Sequence, residues 1–132
     1  MEVGVYLRDL VRDLGRVMSS ASEDRAILVE SDNPVWPASE ASILGLVLTE
    51  LLTNALKYGH GTVTATFREP PGGAATLAVV DEGAGLPAGF EPASNRGFGM
   101  RIVAGLLRAS GGDVAVDHTS PHTRFVATFP RG

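Results

Sequence analysis

The chain has 132 residues and a mass of 13.8 kDa, with 44% hydrophobic and 20% charged residues, the balance of an ordinary globular domain long enough to bury a core. A net charge of −4 and a pI of about 5.3 leave no basic surplus for nucleic acid or a membrane surface, and the lack of cysteine excludes disulfides and thiolate metal sites. The N-terminus MEVGVYLRDL is interrupted by charge from its second residue, unlike a secretory leader, and the most apolar run, SILGLVLTELL, contains Glu50 and is too short to span a bilayer, so a soluble, cytoplasmic protein is expected.

Residues 3–18 place Val3, Leu7, Leu10, Leu14 and Val17 at spacings of three and four, with Arg8, Asp9, Arg12 and Asp13 between them. This pattern predicts an amphipathic helix. AILVE (26–30) reads as a short strand and SDNPVWP as a turn-rich connection, with Trp36 a partly buried edge residue. A long helix is expected from Ala38 to Tyr58, capped by Ser39 and stopped by Gly59 and Gly61. TVTATF (62–67) alternates as a strand, PPGGA turns the chain, and TLAVVD (76–81) returns as a second strand ending on a carboxylate. Residues 82–99 then carry Gly83, Gly85, Gly89, Gly97 and Gly99, a long loop of the kind that is usually functional. A helix from Gly99 to Ser110 and a hairpin of 113–118 with 123–129 close the chain. The order α-β-α-β-β-loop-α-β-β implies an α+β sandwich, three helices layered over one mostly antiparallel sheet.

Three stretches can carry chemistry. In LTELLTNALKYGHG, Glu50, Asn54 and Lys57 share one face of the long helix. They form either a solvated face or a base, a magnesium ligand and a cation in register. In VVDEGAGLP, Asp81 ends a strand beside Gly83 and Gly85. Such a carboxylate either closes a turn or accepts a hydrogen bond from a ligand amino group, the glycines letting a flat ring approach the main chain. In NRGFGMRIVAGLL, Gly97 and Gly99 precede a helix with Arg101 in its first turn; this is either a flexible loop running into a core helix or a place where free helix N–H groups meet phosphate oxygens.

ELLTNALKYG, DEGAG and GFGMRIV together resemble the N box and the two glycine boxes of the GHKL ATPase superfamily, over a span from Ala38 to Phe129. The combination looks most like the catalytic domains of bacterial sensor histidine kinases with a short ATP lid. Thr49 stands where the HWE group of kinases carries a histidine and VVDEGAG lacks their Trp-x-Glu, which places the chain beside that group. The resemblance implies a Bergerat-type fold with a mixed, mostly antiparallel five-stranded sheet, and ATP and Mg²⁺ as cofactors. It implies Glu50 as catalytic base, Asn54 as magnesium ligand, Lys57 as phosphate contact and Asp81 as acceptor for the adenine amino group. Gly83 and Gly85 would shape the adenine pocket, Gly97 and Gly99 would hinge the lid and cradle phosphates, and Thr123 would support the pocket, with His122 in place of the family's glycine.

On this reading residues 21–132 form the catalytic domain, and residues 1–20 a helix that packs on it or links it to a dimerisation domain. The acceptor histidine, on a dimerisation or phosphotransfer domain, and a downstream response regulator would be its partners. His60 follows the N box, and His118 and His122 flank a hairpin turn, none in the helical His-acid setting of a phosphoacceptor. A stand-alone anti-sigma factor with serine kinase activity, or a non-catalytic nucleotide-dependent interaction module, are the alternatives.

Overall fold

The computed structural model describes residues 1–18, 25–91 and 97–131. Residues 92–96, within the glycine-rich loop expected to act as a lid, lie outside the described residues, as do 19–24, which span the expected boundary between residues 1–20 and 21–132. The elements run α1 (Val3–Met18), β1 (Ile27–Ser31), α2 (Ala38–Tyr58), β2 (Val63–Arg68), β3 (Ala75–Val80), α3 (Phe98–Ala109), β4 (Asp113–Val116) and β5 (Arg124–Phe129). The sheet has the order β1-β2-β3-β5-β4. Only β1 and β2 are parallel; the other three neighbouring pairs are antiparallel. A parallel pair needs a long crossover, and α2 is that crossover, laid across the middle of the sheet against β2 and β3.

Alternation along the strands sorts the two faces. Val63, Ala65 and Phe67 of β2, Leu77 and Val79 of β3, and Phe125, Ala127 and Phe129 of β5 are buried beneath the helices. Their partners along the same strands, Thr64, Thr66, Thr76 and Thr128, are half-exposed on the other face, as suits an antiparallel sheet covered on one side. From the helix layer, Leu44, Leu48, Leu51 and Leu52 of α2 and Met100, Val103 and Leu107 of α3 complete the same core. The fold is thus the α+β sandwich that the element order implied, three helices over a mixed five-stranded sheet. Among the described residues no helix is long and apolar enough to cross a membrane.

Two local readings need correction. Ser39 does not cap α2; it sits exposed inside the first turn. Pro37, with φ −57° and ψ 144°, enters the helix without a side-chain cap, and its carbonyl accepts the N–H groups of Glu40 and Ala41 at 3.1 and 3.0 Å. Proline presets the entry angle, which leaves Ser39 two residues past the cap position. Trp36, expected at an edge, is only 2% exposed. It meets Phe67 and Phe129 edge-on at 5.5 and 5.9 Å, Arg131 stacks 4.1 Å from its ring centroid, and its indole N–H donates to Glu69 at 3.1 Å. The polar tip is satisfied, so the ring can be buried whole.

The N-terminal helix is stitched to the rest of the chain through its first residues. Val3 N–H donates to the Pro34 carbonyl and Trp36 N–H to that of Met1, both at 2.9 Å. Asn33 Oδ1 accepts the Gly4 N–H at 2.8 Å, so a residue after β1 supplies the cap for the first turn of α1. Further along, Tyr6 fits against Gly45 of α2, where a Cβ would collide with the phenol oxygen.

Replacing Trp36 with Ala should lower stability by about 3–5 kcal/mol in urea unfolding, the cost of deleting a buried indole together with its ring contacts. Trp36→Phe, which keeps an aromatic ring, should cost clearly less. Equal losses in the two variants would show that the ring contacts contribute nothing.

Candidate functional site

Asn54 is the anchor of the site. It projects from near the C-terminal end of α2 and is 4% exposed. Its Nδ2 donates to the Glu50 carbonyl and to Glu50 Oε2, each at 2.9 Å. Both donor bonds run back along the helix, which fixes the amide orientation and turns Oδ1 the other way. Among the described residues Asn54 Oδ1 is the buried side-chain polar atom with no hydrogen-bond partner. Such an atom costs about 1–3 kcal/mol unless something binds to it.

Glu50 is half-buried, and its carboxylate lies against the start of α3. A Cβ on Gly99 would overlap Glu50 Oε1 and come within 2.7 Å of Cδ. Only glycine lets the helix N-terminus seat this close. Gly97, the N-terminal cap of α3, has φ 89°, a left-handed conformation that glycine adopts without cost. Glu50, Asn54 and Gly99 are therefore brought to one place, and Gly97 lies two residues ahead, where a Cβ would meet nothing within 4 Å.

The second pole is Asp81, 3% exposed, at the end of β3. Its Oδ1 accepts Gly83 N–H at 2.6 Å and His60 N–H at 3.3 Å. Its Oδ2 lies beside Gly59, where a Cβ would overlap it. Thr123, at the start of β5, straps the glycine segment from the other side. Its Oγ1 accepts Gly85 N–H at 3.1 Å, its N–H donates to the Gly83 carbonyl at 3.2 Å, and its carbonyl accepts Asp81 N–H at 3.1 Å. Gly85 has φ 90°, and a Cβ on Gly83 would come within 2.7–2.8 Å of Asp81 Oδ1 and Thr123 Oγ1.

Between these poles lies a cavity of about 130 Å³, lined by Asn54, Asp81, Gly83, Gly85 and Thr123 and by Tyr58, Gly59, His60, Ala84, Leu86 and Phe125. Its apolar wall is backed by Phe90 edge-on to Phe125 at 6.3 Å. A slot lined by both polar and apolar groups, with a buried carboxylate and an Asn54 whose amide oxygen is orphaned among its walls, suits a flat polar ring carrying an anionic tail. Lys57 does not point into it: the side chain is exposed, with Nζ 5.1 Å from the Tyr58 ring centroid. Arg101 is exposed on the first turn of α3.

Gly59 and His60 were not singled out as site residues in the sequence. The pair Gly59 and Gly61 at the helix end was their signal, read only as a helix stop. Beyond them Glu82 Oε1 accepts Thr62 N–H at 2.6 Å. That bond, with nearby His122 and Arg25, holds the exposed Glu82 carboxyl below its usual range.

A family model described as "Histidine kinase-, DNA gyrase B-, and HSP90-like ATPase" matches residues 39–132. The chain belongs to this ATPase family. Among its relatives is the "Probable sensor histidine kinase TcrY" of Mycobacterium tuberculosis H37Rv, 28% identical over 114 residues. That match takes in 74% of this chain but only 24% of the relative's length. In solved structures, the blue-light activated histidine kinase of Erythrobacter litoralis EL346 superposes with a TM-score of 0.82 at 24% identity, over 98% of this chain and 45% of that one. The ATP binding domain of PrrB from Mycobacterium tuberculosis gives 0.76 at 22% identity, over 100% of this chain and 96% of that one. The fold, the family and its ATP-binding character are those expected from the three glycine- and asparagine-centred motifs.

Two outcomes test the geometry of this ATPase domain. Gly59→Ala should destabilise by about 1–3 kcal/mol, although φ is −92° and any residue can adopt it. The new Cβ would lie 2.6 Å from the Ala55 carbonyl oxygen, and backbone cannot swing aside. Gly105→Ala on α3, with nothing within 4 Å, should instead stabilise by up to about 1 kcal/mol. Chemical denaturation of the pair decides it.

The second outcome is a pH dependence. Because Glu82 titrates low when folded, its contribution is present above the ordinary glutamate pKa and is lost as pH falls through the folded value. Hydrogen exchange at the Thr62 amide, corrected for its intrinsic pH dependence, should lose protection only in that acid window. Protection that does not change there would remove Glu82 as the lock of this loop.

Proposed function

We propose that the domain binds Mg-ATP in the slot between α2 and the glycine segments and serves as the catalytic domain of a sensor histidine kinase. The observation that carries this reading is the buried, unpartnered Oδ1 of Asn54, a residue whose amide nitrogen is held by Glu50 and which lines the same cavity as Asp81. A solvated helix face would not bury an amide and leave its oxygen without a partner.

The roles follow from chemistry. Asp81 accepts the exocyclic amino group of adenine, with Gly83 and Gly85 giving the ring access to the main chain and Thr123 holding that segment in place. Asn54 Oδ1 is a hard neutral oxygen of the kind magnesium takes beside waters and phosphate oxygens. Among the described residues no group of three His, Asp or Glu could hold a metal by itself, so one amide oxygen with phosphate and water is the donor set that fits. When bound, magnesium neutralises phosphate charge. The free N–H groups at the start of α3 face phosphate oxygens, with Gly97 and Gly99 allowing the approach. Lys57 and Arg101 are exposed cations that reach phosphate once nucleotide is present. Glu50 orients the attacking imidazole and receives its proton, as the P–N bond forms and the bond from the γ-phosphorus to ADP breaks.

His60, His118 and His122 lie in exposed loop positions, so we assign the acceptor histidine to a dimerisation or phosphotransfer domain. A response regulator would receive the phosphoryl group in turn. Residues 21–132 would make up the ATP-binding unit and α1 the segment that joins it to that domain. We place the chain in the cytoplasm, where ATP and such regulators are found together.

Calorimetric titration with ADP and a non-hydrolysable ATP analogue, with and without Mg²⁺, tests the reading. Wild type should bind both, and Mg²⁺ should tighten the analogue. Asn54→Ala should bind without that tightening, and Asp81→Ala should lose nucleotide affinity. Glu50→Gln should still bind ADP while phosphotransfer to a supplied dimerisation-domain histidine falls by about 10²–10⁴-fold. A folded wild-type domain that binds neither nucleotide would end the proposal.

A further inference from the structure

Arg25 lies outside the residues matched by the ATPase family model and outside the lining of the cavity. Yet its guanidinium spans the junction between α2 and the loop that walls the slot. Nε donates to the Gly61 carbonyl at 2.8 Å, Nη1 to that of Leu56 at 3.0 Å and Nη2 to that of Ala55 at 3.4 Å. The Ala55 carbonyl also accepts the Gly59 N–H at 2.9 Å, whereas carbonyls nearer the helix end run out of helical partners, and a cation there is favoured by the macrodipole. The fork is also rigid and planar, so it sets the separation between the helix end and residue 61.

Between those two anchor points lie Gly59 and His60, the residues that touch Asp81. The His60 N–H donates to Asp81 Oδ1, and Gly59 leaves no room for a Cβ beside that carboxylate. On its far side the loop is tied by the Glu82 N–H to the His60 carbonyl at 2.8 Å and by the Thr62 N–H to Glu82. Arg25 itself is held by β1, which begins two residues later and runs parallel to β2, with the Val63 N–H on the Ala26 carbonyl at 3.0 Å. The loop is thus clamped between Arg25 and the 81–82 turn, and the position of the Asp81 carboxylate depends on both.

We infer that Arg25 is a positioning residue for base recognition, acting through the 59–61 loop on Asp81. The inference rests on the nucleotide-binding reading above. Removing the fork leaves the phosphate end of the site intact but lets the Asp81 wall drift. Discrimination for the adenine amino group is then lost ahead of general affinity, because a site built to pair one polar group separates ligands by that group.

The test is calorimetry with ADP and IDP, which carries a 6-oxo group in place of the amino group, on wild type, Arg25→Met and Arg25→Lys, each checked for folding by circular dichroism. Wild type should prefer ADP. In Arg25→Met the ADP affinity should fall about tenfold, roughly the value of one well-placed hydrogen bond, with IDP affinity changed by about twofold at most. Arg25→Lys keeps the charge but can reach only part of the three-carbonyl set, so it should recover at most part of the preference. It also decides the question if the Met variant does not fold. Unchanged preference in a folded variant, or equal weakening of ADP and IDP, would overturn the inference. A wild type that binds no ADP, or binds ADP and IDP alike, would instead sink the nucleotide reading or its Asp81 assignment.

Discussion

The site depends on one buried carboxylate. Asp81 sits where β3 ends, and through hydrogen bonds and close contacts it fixes the ends of two further elements. His60 and Gly59 bring in the end of α2; Gly83 and Thr123 bring in the glycine segment and the start of β5. A carboxylate buried among apolar strands is costly unless its oxygens are paired. The two N–H donors therefore do two things at once: they make burial tolerable, and they hold the end of α2 and the glycine turn around the carboxylate, while the Asp81 N–H on the Thr123 carbonyl adds the start of β5. The stability of the fold and the shape of the site are in this respect the same constraint.

The other end of the cavity obeys a different logic. Asn54 has its donors satisfied by Glu50 and its acceptor unsatisfied. A polar group left orphaned in a core is selected against on stability grounds, so its persistence points to a ligand that completes it. Gly99 supports the arrangement by letting α3 approach the Glu50 carboxylate closely. This places a helix N-terminus, with its partial positive charge, beside the one acid of the α2 stripe.

Much of this was legible in the sequence because it depends on local rules. The alternation of Val63, Ala65 and Phe67 with threonines marks a strand covered on one face. The apolar stretch that Gly59 stops reads as a helix from about Ala38 to Tyr58, which is where it lies, although its start belongs to Pro37 and not to Ser39. Glu50, Asn54 and Asp81 stood out because polar residues interrupt an apolar pattern there. What was not legible depends on residues distant in the chain. Trp36 is buried because Phe67, Phe129 and Arg131 converge on it, and nothing in SDNPVWP foretells those partners. Lys57 belongs to the stripe by spacing, but lies near the helix end, where its long side chain turns outward over Tyr58.

Gly59 shows why a local reading can be right about an element and silent about its purpose. As a helix stop, glycine is usually explained by a left-handed backbone, but Gly59 is extended, at φ −92° and ψ −171°, where any residue is allowed. The requirement for glycine comes from outside the segment, from the Asp81 carboxylate and the Ala55 carbonyl that crowd its Cα. Arg25 extends the same reasoning one step outward, since it clamps the loop that carries Gly59 without touching the cavity. A site whose walls are set by close approach depends on residues that hold the approaching segments, and those residues need share no motif with it. The motifs of an ATPase family mark where nucleotide meets protein; the groups that fix the distance between those motifs lie in whatever part of the chain can reach the joint, here a residue ahead of the first strand.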